Sequence, residues 1–121
     1  MAPKTPSEKL ARFVIFNRWF KPSGRFNAFM PKDGKTSVFR ISNISDDEIW
    51  DIGDLKVAPK RGKPILGRAD ISALYVIAKG LEVHPNEPPE RHADIAGWPD
   101  EKSKQKEIAL DLAAEARFYK K

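Results

Sequence analysis

The C-terminal third carries the pattern that most restricts the fold. Ile108, Ala109, Leu112, Ala113, Ala116 and Tyr119 recur at helical spacing, which lines one side of a helix with apolar groups. Gly97-Trp98-Pro99 turns the chain ahead of it, and Asp100 stands where a cap belongs. These signals predict a helix from Glu101 to about Lys120, with Glu101 at its positive end and Lys120 and Lys121 at its negative end. One apolar stripe must be covered by another element.

The upstream segments are short and suit a sheet for that purpose. Residues 10–20 are aromatic and β-branched and read as a strand. Lys21-Pro22-Ser23-Gly24 breaks it, and Arg25 to Met30 reads as a second short strand. Thr36 to Ser42 alternates, with Val38, Arg40 and Ser42 on one face and Ser37, Phe39 and Ile41 on the other. Ser45-Asp46-Asp47-Glu48 is a capping box that starts a short helix, with Gly53 placed to end it. Lys56 to Gly67 reads as a basic loop. Arg68 to Ile71 is a short strand or a helix entry, and Ser72 to Lys79 a helix stopped by Gly80, though Tyr75-Val76-Ile77 also suits a strand. Leu81 to His84 reads as a strand, and His92 to Ile95 as an edge strand after a proline-rich loop.

The expected fold is therefore α+β: a small, mostly antiparallel sheet of four to five strands packed on a long C-terminal helix. A chain of 121 residues suits one domain with a modest core. Residues 1–8 read as a flexible tail and 9–121 as that domain.

There are no cysteines, which excludes disulfide scaffolds, thiolate metal sites and cysteine catalysis. No apolar run approaches a membrane span, and no apolar signal core follows the N-terminus. A cytoplasmic protein without a membrane partner is expected. Charge is unevenly placed: residues 1–40 hold nine Lys/Arg and two acids, net +7, and the rest hold thirteen and fifteen, net −2. Such asymmetry points to a polyanionic partner. Arg12-Phe13, Arg18-Trp19-Phe20-Lys21 and Arg25-Phe26 interleave cations with rings, as single-stranded nucleic-acid binders do and as half-buried strands also do. No Walker, Rossmann, KH, helix-turn-helix or zinc-finger pattern is present.

The densest chemistry lies in Arg91 to Pro99. On an extended segment His92 and Asp94 share a face, and a carboxylate beside an imidazole suits general acid–base work or a structural pair. Arg40 sits mid-strand, where a charge needs a cleft or a partner. Asp70 is one candidate partner, and Arg68 is a second arm of an anion clamp. Trp98 and Lys104 complete the expected anion-binding set. His84 and His92 are the only histidines, with no HxH or HExxH spacing, so neither a metal nor a cofactor is expected.

Thr36-Ser37-Val38-Phe39-Arg40, Gly67-Arg68-Ala69-Asp70 and the run His92 to Pro99 together resemble a recurring type of short bacterial hypothetical protein. In that type FR, GRAD and HAxIxGWP motifs precede an Ala-rich C-terminal helix. The resemblance spans about residues 25–117 and implies a shared organisation and a bacterial origin, with no activity attached.

Three functions are consistent with these residues. The first is an accessory protein that binds a phosphate-bearing partner, most simply DNA or RNA, through Arg40, Arg68, His92 and Trp98. The second is a small phosphodiester hydrolase or nuclease, in which His92 is acid or base, Asp94 orients it, and Arg40 and Arg68 hold the anion. The third is an interaction subunit or inhibitor whose aromatic N-terminal strand docks on a protein partner.

Overall fold

The computed structural model describes residues 8–121. The expected tail thus lies outside the described residues except for Glu8, whose carbonyl accepts from the Ala73 amide at 2.7 Å. The elements in chain order are β1 (Lys9–Val14), β2 (Thr36–Arg40), α1 (Asp46–Ile52), α2 (Ala58–Arg61), β3 (Gly67–Ser72), α3 (Ala73–Ala78), β4 (Glu82–Pro85), β5 (His92–Ala96), α4 (Lys102–Glu115) and β6 (Arg117–Lys120). The strands form one sheet of six in the order β4-β5-β2-β1-β3-β6, and each neighbouring pair is antiparallel. The α+β class is as expected, with more strands than expected.

Strand alternation divides the core in two. Leu10, Val14, Val38, Ala69, Ile71, Val83, Ala93 and Ile95 face α3, α4 and the segment holding Ala28 and Phe29. Ala11, Phe13, Phe39 and Ile41 face the other way, toward Ile49 and Ile65. Phe29, Leu10, Ile95 and Leu112 are fully buried, and each contributes about 1.5–3 kcal/mol by leaving water.

Several local expectations fail for tertiary reasons. The aromatic run stops being a strand at Val14; Asn17–Phe20 is a 3-10 turn that tucks Trp19 edge-on to Phe16 at 5.1 Å. Arg25–Ala28 is also a 3-10 turn, not a strand. Gly53 does not end α1. It holds ordinary helical angles and is small because Phe13 lies against it: a Cβ there would stand 2.7 Å from the ring. The chain continues through a π turn (Gly53–Val57) into α2, one helical rod of 16 residues over 46–61 where a basic loop was expected. The π turn precedes Pro59, which cannot donate to the turn before it and crowds the carbonyl four residues back. Gly62, with φ +63°, ends the rod.

The C-terminal helix is shorter than its apolar stripe. It covers 14 residues, is preceded by Glu101 rather than a capping Asp100, and stops at Glu115. Ala116 turns extended and Arg117–Lys120 pairs with β3 as β6. That pairing satisfies the open edge of β3 and packs Phe118 against Phe20 and Phe29. Helix propensity is a weak preference beside such contacts. β5, expected at an edge, lies between β4 and β2.

Candidate functional site

The site begins where β1 and β2 part. Their ladder comprises Leu10 with Arg40 and Ala11 with Phe39, whereas β1 pairs with β3 along six residues. Beyond Ala11, the Arg12 guanidinium fills the space: Nε donates to the Ala28 carbonyl at 2.7 Å and Nη1 to the Ser37 carbonyl at 3.1 Å. Its Cζ lies 5.5 Å from the Trp19 ring centre. Desolvation, and secondarily the charge of Arg61, lowers its pKa to about 10.

Two depressions meet at Arg12, Ser37 and Arg61, with volumes of about 250 and 380 Å³. The first is walled by Arg12, Lys56, Lys60 and Arg61, and no carboxylate lines it among the described residues. The helical rod supplies the last three of these cations at one end of the cleft. The second adds Lys32, Lys35 and Trp19, with Asp33 and Asp94. The indole N–H of Trp19 is buried there without a hydrogen-bond partner.

His92 also lines the first depression. The register sets Phe39 beside His92 and Ser37 beside Asp94, so β2 and β5 present Ser37, His92 and Asp94 on one face. This is the shared His92–Asp94 face expected from alternation. The imidazole Nδ1 lies 2.7 Å from the Asn86 carbonyl oxygen, and Nε2 lies 2.7 Å from Ser37 Oγ. A carbonyl can only accept, so the neutral ring carries its proton on Nδ1. Nε2 is then the acceptor and the Ser37 hydroxyl donates to it. Asp94 is not the group that orients the ring. Its Oδ2 accepts from Asn86 Nδ2 at 2.8 Å, and its Oδ1 stands 3.8 Å from His92 Nε2.

The other expected site residues lie elsewhere. Arg40 is paired with Glu87 at 2.6 Å, and its carbonyl accepts from Arg91 Nη1, which ties the 85–91 loop to β2. Arg68 is buried: Nε meets Asp70 at 3.1 Å, Nη2 meets Asp46 at 2.8 Å, and the guanidinium lies between Trp50 and Tyr119. Burial raises the Asp70 pKa, and Arg68 beside it partly offsets the rise. The GRAD segment is thus a clasp joining α1, β3 and β6. Arg40 and Arg68 have separate partners, and neither lines the cleft. Trp98 donates to the Ile95 carbonyl and packs on the α4 side of the sheet; Lys104 on α4 pairs with Glu101 just before it. His84 bonds Glu82.

The rings interleaved with cations in the sequence are covered by the chain's own groups. Arg12 lies over Trp19, Lys120 over Phe20 and Lys106 over Phe26, and Phe13 is buried in the core. β1, expected as a docking strand, has a neighbour on both sides. Sequence reasoning marked Arg12 and the basic stretch from Lys56 but attached neither to His92. It passed over Ser37 and Asn86, whose types are unremarkable until the register brings them to the imidazole. No protein-family model, curated protein or solved structure matches the chain. No helix among the described residues is long and apolar enough to cross a membrane.

Proposed function

We propose that the cleft binds a phosphate-bearing polyanion, most simply a DNA or RNA strand in the bacterial cytoplasm. One observation carries the reading: Arg12, Lys56, Lys60 and Arg61 converge on a depression that no carboxylate lines among the described residues. Like charges gather at a folding cost unless a ligand of opposite charge offsets it. Arg12 is preorganised by its two backbone carbonyls, whereas Lys60 and Arg61 are exposed and free to follow a phosphate chain. Because Trp19, Phe20 and Phe26 already have cations of the chain over their rings, binding rests on the backbone rather than on base stacking. Weak sequence preference follows.

Fluorescence anisotropy with labelled single- and double-stranded oligonucleotides tests this. Three to four phosphate contacts on a single strand give a log–log salt slope of roughly −2.5, or about a 30-fold loss between about 50 and 200 mM salt. The double variant Lys60→Glu, Arg61→Glu, at two exposed positions, is expected to abolish the signal while leaving the melting temperature near that of the wild type. A flat salt response, or unchanged affinity in that variant, refutes the reading.

A further inference from the structure

We propose that Ser37 is a nucleophile activated by His92, and that the pair cleaves a phosphate ester held in the cleft. This rests on the reading of the cleft as a phosphate site. The Nδ1 proton is committed to the Asn86 carbonyl at 2.7 Å, which leaves the Nε2 lone pair facing the Ser37 hydroxyl at 2.7 Å. Nucleophile, base and an orienting acceptor therefore stand in one line, the arrangement that activates a serine. The hydroxyl is exposed, so a substrate can reach it, while the imidazole is largely sheltered at 15% side-chain exposure. When His92 takes the proton, the Asp94 carboxylate is close by, with Oδ1 3.8 Å from Nε2. Arg12 holds the Ser37 carbonyl and fixes the backbone beneath the nucleophile. Arg12 and Arg61 supply positive charge where the negative charge of the transition state develops.

The steps balance. Ser37 Oγ forms a bond to phosphorus as its proton passes to His92 Nε2. The bond from phosphorus to the leaving oxygen breaks, and the imidazolium returns the proton to that oxygen. Water then attacks the phosphoseryl group with His92 again as base, and the serine hydroxyl leaves with its proton restored. No redox partner or further reactant is involved.

The test uses the full chain with two probes, bis(p-nitrophenyl) phosphate and an end-labelled single-stranded oligonucleotide. Release of p-nitrophenolate is expected from the wild type. Ser37→Ala and His92→Ala are each expected to lower the rate by at least about 10²-fold, and together by no more than either alone. Mass spectrometry of the quenched wild type is expected to show a nitrophenylphosphoryl adduct on the peptide holding Ser37. Ser37→Ala removes only an exposed hydroxyl, so a melting curve confirms that its loss is not unfolding. Wild-type turnover in Ser37→Ala, or no turnover of either probe by the wild type, overturns the proposal. Salt-sensitive oligonucleotide binding without cleavage of either probe overturns the dyad and leaves the cleft reading standing. Diester cleavage lost in Ser37→Ala but without oligonucleotide binding supports the dyad and removes the polymer ligand.

Discussion

Replacing Arg68 by Met isolates the clasp that joins α1 to β3 and β6 of the sheet. Two carboxylates meet this guanidinium, and they are not equivalent. Asp46 is 79% exposed and Asp70 14% exposed, so the Asp46 bridge is screened and contributes little. Asp70 is the partner whose charge would be stranded. Breaking a buried pair from one side costs about 3 kcal/mol or more, because the remaining charge has lost its compensation. Methionine preserves part of the packing between Trp50 and Tyr119, so we take about 3 kcal/mol. At about 2.1 cal/mol/K per residue the chain's unfolding entropy is about 0.25 kcal/mol/K, and the melting temperature should fall by about 12 °C.

The cost should also depend on pH in a definite direction. Burial raises the Asp70 pKa above 3.8, and Arg68 partly offsets that rise. Removing Arg68 leaves the burial effect and moves the pKa further up. A carboxyl with a raised folded pKa holds its proton more tightly in the folded state. Its contribution to stability is fully present below 3.8 and is lost as pH rises through the folded pKa. The variant loses more than the wild type does, so the gap between them narrows as pH falls from about 7 toward about 4. Urea denaturation at several pH values, followed by tryptophan fluorescence, measures it. Asp70→Asn in the Arg68→Met background should recover much of the loss, since a neutral amide needs no counter-charge. A gap below about 1 kcal/mol, or one that does not change with pH, refutes the argument.

Two further substitutions probe the helical rod. Gly53→Ala, usually a gain within a helix, should instead cost about 1–3 kcal/mol, because the new methyl meets Phe13 and Ile65; a higher denaturation midpoint would show that the ring can yield. Ser45→Ala removes the hydroxyl that accepts from the Glu48 amide and should cost about 1 kcal/mol, read as a lower urea midpoint with an unchanged slope.

Local signals were legible where one residue answers to its near neighbours. The capping box at Ser45 and Glu48, the strand Thr36–Arg40, and the helix between Ser72 and Gly80 are all present. Each follows from hydrogen bonds or side-chain alternation within a few residues. Gly53 and Pro59 misled because both are read as breakers. One is small to admit a phenylalanine from β1, and the other is absorbed by a π turn. Tyr119 continues the helical period in sequence, but it and Phe118 serve better as a strand on the free edge of β3.

The sequence by itself determined the α+β class, the basic bias of the first third and the common face of His92 and Asp94, because periodicity and composition are properties of short windows. Only the tertiary structure decided which charges are spent and which are free. It sealed Arg68 between two rings and two carboxylates and tied Arg40 to Glu87. It brought Lys60 and Arg61 on the rod to Arg12, and it set Ser37 against His92 across 55 residues of chain. Strand register and layer packing fix such meetings. Both depend on burying the whole core at once, which no local pattern encodes.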